Sequence, residues 1–408
     1  MQNNGREIKP HIGIYGRRNF GKSSFINCIT GQNIAIVSDI PGTTTDPVKK
    51  SYEITNFGPV ILIDTAGIDD NGELGNKRIN KTLDTVKLID LAILIITKNS
   101  WGQFELKLIN EFQKFNTPFI IVHNKSDIEP CSEKFKNFIY KNYKHKIIEF
   151  SALKCSNTNK IINIIKKSIP QTAYKQNSLI GDLINYGDII LLITPIDLEA
   201  PSGRLILPQI QAIRDILDND AIAIVLKERE IDSFLKKTKI KPALAITDSS
   251  IFLKADASIP EDIPLTGFSI ILARQKGDFD KYLQGTPFID KLKDGDKILL
   301  LESCTHHISC EDIGRVKIPR WISNYTGKKL SFDIVSGLDK LKKPITNYSL
   351  VIQCGGCMIS SKQLKNRLKP AIDAKIPVTN YGLTIAYVQG IYNRAIKPFV
   401  KNNKIDYL

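Results

Sequence analysis

The sequence predicts an α/β protein of three domains: a first domain over residues 1–170 with a mostly parallel sheet, then two smaller βαβ-type domains over 171–265 and 266–408. Three observations predict it. Short apolar runs of strand length alternate with segments of helical period along most of the chain. A glycine-rich G-x-x-x-x-G-K-S loop separates the first strand from the first helix. A chain of 408 residues is also too long for one hydrophobic core.

Composition narrows the class. With 42% apolar and 24% charged residues the chain reads as globular. No apolar run reaches the ~18 residues of a membrane span. The start, Met1-Gln-Asn-Asn-Gly-Arg-Glu7, lacks the apolar core of a signal peptide, so a cytoplasmic chain without a membrane partner is expected. Seven cysteines are an odd number without the spacing of a secreted disulfide framework. Clustered thiols in a reducing compartment point to metal or redox work. Cys28, Cys131 and Cys155 read as isolated thiols. The net charge of +15 is spread over scattered lysines among many Asn and Ile. That pattern fits biased composition better than a nucleic-acid surface.

In the first domain, His11–Tyr15 is a strand, followed by Gly16-Arg-Arg-Asn19-Phe-Gly21-Lys22-Ser23 and a helical run from Ser24 to Thr30. The glycines let backbone N–H groups wrap phosphates, and the helix N-terminus favours their charge. Lys22 would reach the β- and γ-phosphates, with the Ser23 hydroxyl on Mg²⁺. Val60-Ile-Leu-Ile-Asp64-Thr-Ala-Gly67 is a strand ending in a carboxylate that can hold Mg²⁺ through water, and the Gly67 N–H can sense a γ-phosphate. Phe119-Ile-Ile-Val-His-Asn124-Lys125-Ser-Asp127 offers a carboxylate to the guanine N1 and N2 hydrogens, which adenine does not present. Ser151-Ala152-Leu153 supplies the loop that supports the base. These motifs, in this order, resemble GTPases of the translation-factor-related class. Asp39-Ile-Pro-Gly42-Thr-Thr44-Thr-Asp46 further resembles the switch loop of the tRNA-modification and ribosome-assembly GTPases. That resemblance implies Thr44 as the Mg²⁺-sensing threonine and Asn19 as a partner of K⁺. Ile68 stands where many GTPases carry a water-orienting glutamine, so slow intrinsic hydrolysis, stimulated by K⁺, is expected. Glu73 is a candidate for positioning water or simply a first-turn carboxylate of the helix Glu73–Ile89.

After a polar linker at Gln171–Ser178, the middle domain offers strands at Asp188–Thr194, Ala221–Leu226 and Leu244–Thr247, and a helix at Leu207–Leu217. It shows no paired thiols, phosphate loop or acid–base pair, so association into a homodimer is its expected role.

In the third domain, helices are expected at Asp278–Leu292, Val316–Asn324 and Ser361–Ala374, with Asp312 as an N-cap. Strands are expected at Lys297–Glu302, Leu330–Val335 and Leu350–Gln353. Two of these strands end in soft ligands: Ser303-Cys304-Thr-His306-His307 and Cys354-Gly-Gly-Cys357. Open α/β sheets hold ligands at the carboxyl ends of their strands. If the two strands are neighbours, Cys304, Cys354 and Cys357 converge. Zinc with a fourth ligand from His306, His307, Cys310 or Glu311, an iron–sulfur cluster, and a Cys354–Cys357 redox disulfide are all compatible with that set. The two glycines between the thiols favour a bulky cluster near backbone N–H groups.

Together, the first-domain motifs and the late Cys-x-His…Cys-Gly-Gly-Cys resemble the HydF family of [FeFe]-hydrogenase maturation GTPases over essentially the whole chain. Leu207-Pro-Gln-Ile210, Glu311-Asp-Ile-Gly-Arg-Val-Lys-Ile-Pro-Arg-Trp321 and Val378-Thr-Asn-Tyr-Gly382 carry the same resemblance. It implies GTP/GDP, Mg²⁺ and K⁺ in the first domain and a [4Fe–4S] cluster on three cysteines in the last. It also implies a scaffold that carries a diiron precursor with CO and CN⁻ ligands. The partners it implies are apo-[FeFe]-hydrogenase and the radical-SAM maturases. One position departs from the family pattern: Gln353 stands where a histidine usually precedes the Cys-Gly-Gly-Cys. Glu311 then becomes the preferred exchangeable fourth ligand, with His306 the alternative. Arg315, Lys317 and Arg320 are candidates to neutralise the anionic precursor. Competing readings are an RNA- or ribosome-linked GTPase and a redox-sensing GTPase with a zinc or disulfide site.

Overall fold

The computed structural model describes residues 9–31, 47–65, 67, 73–174, 178–195, 205–303 and 312–400, without the side chains of 73–78. The chain divides into two compact units, 1–176 and 177–408.

The first unit is built on six strands: β1 (His11–Tyr15), β2 (Val48–Ile54), β3 (Gly58–Asp64), β4 (Leu91–Ile96), β5 (Phe119–His123) and β6 (Ile147–Glu149). Their order is β2-β3-β1-β4-β5-β6. All pairs are parallel except β2–β3. Every residue of β4 and β5 is buried, as the unbroken apolar runs of a sheet covered on both faces require. The antiparallel β2 is the strand that hydrophobic pattern alone does not announce. Its sequence, Val-Lys-Lys-Ser-Tyr-Glu-Ile, is mostly polar, as suits an edge strand. One core packs Phe25 against Phe150, the other Tyr15 against Phe112.

The second unit contains two four-stranded sheets. The first holds β7 (Ile189–Ile193), β8 (Ile222–Leu226), β9 (Leu244–Thr247) and β10 (Leu265–Gly267), in the order β10-β9-β7-β8. The second holds β11 (Lys297–Leu301), β12 (Ser331–Val335), β13 (Leu350–Gln353) and β14 (Val378–Asn380), in the order β12-β11-β13-β14. Both sheets are parallel throughout. The helix Phe268–Lys276 lies between the two cores. Phe268, Ile271 and Leu272 belong to the core of the first sheet, Ile270 and Ala273 to that of the second. A helix apolar around most of its circumference is buried on more than one side. A division at 265/266 would run through β10, because Leu265–Gly267 completes the first sheet against β9.

Two expected helices differ from their patterns, one broken and one shifted. Asp278–Leu292 splits into a helix at Phe279–Gly285 and a 3₁₀ segment at Thr286–Lys291, since Pro287 has no N–H for the helical ladder. The helix expected from Val316 begins at Ile318, preceded by a π-turn over Ile313–Lys317. Asp312 caps that turn, accepting from the Arg315 N–H at 2.8 Å.

The shared helix gives a stability test. Ile271 is fully buried, so Ile271→Ala should cost about 2–5 kcal/mol in urea-induced unfolding of the full chain. A cost below about 0.5 kcal/mol, the level of an ordinary surface change, would contradict the packing described.

Candidate functional site

In the first unit, β1 leads into a loop whose backbone turns at Gly16, Asn19 and Gly21, with φ of 151°, 58° and 84°. A Cβ at Gly16 would stand 2.5 Å from the Ile95 carbonyl oxygen, so only glycine fits there. Lys22 opens the helix Lys22–Thr30, and its Nζ donates back to the carbonyls of Gly16 (3.1 Å) and Arg17 (3.0 Å). Ser23 Oγ donates to Asp64 Oδ2 at 2.8 Å. The other Asp64 oxygen is buried with no hydrogen-bond partner among the described residues. Burial raises the Asp64 carboxyl above its ordinary value, while Ser23 and Lys22 oppose the shift. A carboxylate in that state is poised for a cation or an ordered water. Gly67 abuts the same loop: a Cβ there would come within 2.8 Å of the Arg18 nitrogen.

The base-side residues are tied to this loop. Asn124 is buried; its Nδ2 donates to Phe20 O at 2.9 Å, and its Oδ1 accepts from Ala152 N at 3.0 Å. A hydrogen bond from Ser151 holds the Asp127 carboxyl below the usual carboxylate range. Lys125 takes a left-handed backbone (φ 59°) between them. Ser24 is half-buried in the first turn of the helix. Thus the loops bearing residues 16–24, 124–127 and 151–152 converge. Thr44 and Ile68 lie outside the described residues, as does the side chain of Glu73.

Two features of this unit were not anticipated. Arg17 grips Glu105 in a two-pronged ion pair, Nε–Oε1 2.8 Å and Nη2–Oε2 2.7 Å, with Glu105 buried. The pair fixes the phosphate loop to the helix Gln103–Lys114, and nothing local in the sequence signals it. Cys28 and Cys155, expected as isolated thiols, instead lie side by side, with Cα atoms 5.7 Å apart. Tertiary packing brings them together: the helix carrying Cys28 lies beside the turn that follows Ala152, and Cys28 also touches Thr158. Cys131 is buried and free, and burial pushes its thiol up to about 11.

In the second unit, β11 and β13 are direct neighbours, with Leu301 opposite Gln353. Their carboxyl ends therefore emerge side by side. The Ser303 N–H meets Cys354 Sγ at 3.1 Å, and the Ser303 hydroxyl lies 3.0 Å from the same sulfur. Gln353 is fully buried; its Nε2 donates to Ser303 Oγ (3.1 Å) and reaches Cys354 Sγ at 3.4 Å. Asn380, also fully buried, donates to Gln353 O at 3.2 Å and caps the helix Tyr381–Val388 through the Gly382 N–H. That explains the Val378-Thr-Asn-Tyr-Gly382 stretch: it holds the end of the thiol-bearing strand. Burial, then the neighbouring Cys354, push the Cys357 thiol up, and Lys276 opposes them.

Cys354 and Cys357 are thus placed on one loop. Cys304, His306, His307, Cys310 and Glu311 lie outside the described residues. Among the described residues, no group of three or more His, Cys, Asp or Glu side chains is gathered as a metal site. Arg315, a candidate for neutralising an anion, is engaged by the buried Glu302 (Nη2–Oε2 2.7 Å) and by Ser336 (2.7 Å). Its charge is largely balanced within the fold. Arg320 is exposed, and Lys317 has a further interaction of its own. Among the described residues, no helix is long and apolar enough to cross a membrane.

Comparison with known proteins divides the chain in the same way. Over 168 residues the chain is 33% identical to GTPase Era of Alkaliphilus oremlandii, covering 39% of this chain and 56% of that protein. Over 131 residues it is 40% identical to GTPase Der of Campylobacter hominis, covering 31% and 27%. Over 159 residues it is 36% identical to the tRNA modification GTPase MnmE of Prochlorococcus marinus, covering 38% and 34%. The chain therefore spans about half or less of the length of these relatives. A crystal structure of an Aquifex aeolicus Era variant bound to GDP and AlF4⁻ is similar at 19% identity and a TM-score of 0.37, over 55% of this chain and 97% of that one. The family model described as 50S ribosome-binding GTPase matches residues 11–125. The model for the hydrogen maturase F dimerization domain matches residues 179–277, and that for its tetramerization domain 280–398. These last two regions together make up more than half of the chain, which belongs to the hydrogen maturase F (HydF) family.

Proposed function

We propose that the chain is a GTP-hydrolysing scaffold for [FeFe]-hydrogenase maturation. It holds a [4Fe–4S] cluster on Cys304, Cys354 and Cys357 and passes a diiron precursor with CO and CN⁻ ligands to apo-hydrogenase. The observation that carries this reading is the contact of Ser303 with Cys354 Sγ, because Ser303 is covalently followed by Cys304. N–H groups aimed at a cysteine sulfur are a recognised means of tuning a thiolate-bound cluster. Here the donors are the Ser303 backbone and the Gln353 amide. The residues present therefore fit such a group. When bound, it would supply an iron with an exchangeable coordination position. Glu311 is proposed for that position, with His306 the alternative, and Gln353 keeps a donor role beside Cys354.

In the first unit, Lys22 and the backbone of residues 16–24 would bind the GTP phosphates. Ser23 and Thr44 would ligate Mg²⁺, with Asp64 holding it through water. Gly67 would report the γ-phosphate, and Asn19 would help hold K⁺. Asn124, Lys125, Asp127, Ser151 and Ala152 would enclose guanine. Nucleotide state would bias partner affinity through the switch segment, and that coupling is reciprocal. Residues 179–277 and 280–398 would assemble the chain into at least a homodimer, with the hydrogenase and the radical-SAM maturases as its protein partners.

Two measurements test the two halves separately. Anaerobically prepared protein should contain iron and acid-labile sulfide, and Cys354→Ser or Cys357→Ser should each remove most of both. A colourless preparation carrying one zinc would sink the cluster assignment. Asp127→Ala should weaken GDP binding by about 10- to 100-fold, the loss of hydrogen bonds to a charged acceptor, while iron content stays at the wild-type level. Because its carboxyl sits below the usual range, Asp127 stays ionised on both sides of neutrality. GDP affinity should then be nearly flat from about pH 6 to 8 as far as this group is concerned.

A further inference from the structure

Lys276 is the last residue of the helix Phe268–Lys276 and is 3% exposed. Lysines are seldom buried so fully unless the charge is met by acceptors. Its ammonium meets three of them, all on the thiol-bearing loop: Gly356 O at 2.8 Å, Ile359 O at 3.1 Å and Cys357 O at 3.3 Å. Three N–H donors against three carbonyls match the protonated amine, since a neutral amine offers only two. Ser361 Oγ donates back to the Lys276 carbonyl at 2.6 Å, a second tie between helix and loop.

The direction of these carbonyls sets that of the adjoining N–H groups. In a trans peptide the C=O and the N–H of the same plane point opposite ways. With the carbonyls of Gly356 and Cys357 turned to Lys276, the N–H groups of Cys357 and Met358 face the other side. The lysine thus fixes the orientation of the two peptide planes on either side of Cys357.

We propose that Lys276 is a positioning residue of the cluster site. It pins the thiol-bearing loop through the carbonyls of Gly356, Cys357 and Ile359 and sets a positive charge behind it. This deepens the cluster assignment above and rests on it. The residue comes from the dimerization region, 179–277, while the loop it organises belongs to the tetramerization region, 280–398. A nearby positive charge favours the reduced, more negative cluster, so the potential should depend on it.

The test uses the full-length chain, anaerobically reconstituted with iron and sulfide. Lys276→Met removes donors and charge; Lys276→Gln removes the charge and keeps two N–H donors. Iron release to a chelator should be about tenfold faster in Lys276→Met, the scale of one lost charged hydrogen bond, and less affected in Lys276→Gln. The midpoint potential, followed by electron paramagnetic resonance, should fall in both variants. In the wild-type chain, Lys276 should resist acetylation under conditions that modify the surface lysines, a readout that needs no folded variant. Wild-type protein that takes up no cluster would overturn the assignment on which this rests. Wild-type protein that holds the cluster, with variants of unchanged release and potential, or with Lys276 acetylated as fast as surface lysines, would overturn the positioning role alone.

Discussion

The parallel pairing of β11 with β13 is the constraint on which the second unit depends. Leu301 lies opposite Gln353, and both strands are apolar and buried along nearly their whole length. A slip of one residue would exchange the faces on which these side chains interlock with the layers covering the sheet. The register is therefore fixed by packing, and the two strand ends leave the sheet together. Everything polar at the site follows from that: Ser303 against the Cys354 sulfur, the Gln353 amide between them, and Asn380 on the Gln353 carbonyl. The glycines of the thiol loop then let the backbone turn back to meet Lys276.

The first unit obeys the same logic with different chemistry. Its loops also leave the carboxyl ends of parallel strands, and a single buried side chain joins two of them. The Asn124 amide uses its nitrogen on the phosphate loop and its oxygen on the base-supporting loop. Removing either partner would leave a buried polar atom unsatisfied, so geometry at the phosphates and at the base is shared. Glu105 adds a brace from outside, holding Arg17 in place by charge and by a fork of two hydrogen bonds.

Much of this was legible in the sequence because the signals are local. The run Lys297–Leu301 and the stretch Leu350–Gln353 are each contiguous, apolar and bounded by turn-forming residues, and they form β11 and β13 as expected. The phosphate loop and the Asn124–Asp127 stretch likewise carry their chemistry within a few residues. What escaped depends on partners far along the chain. Arg17 and Glu105 are 88 residues apart. Cys28 and Cys155 are 127 apart, and neither has a neighbouring thiol in sequence to mark it. Lys276 looks like any helix-terminal lysine until its helix is seen buried between two cores. The strand β2 escaped for a different reason: an edge strand with polar side chains lacks the apolar run that identifies its neighbours.

The helix Phe268–Lys276 serves as a party wall. Its residues complete the hydrophobic interior on either side, so neither sheet of the second unit owns a finished core without it. Its amide protons should therefore exchange with solvent only through openings that disturb both sheets at once. The regions named for dimer and for tetramer assembly would then behave as one cooperative block in each protomer, and strain applied at one association surface would be felt at the other through a rigid rod rather than through a hinge.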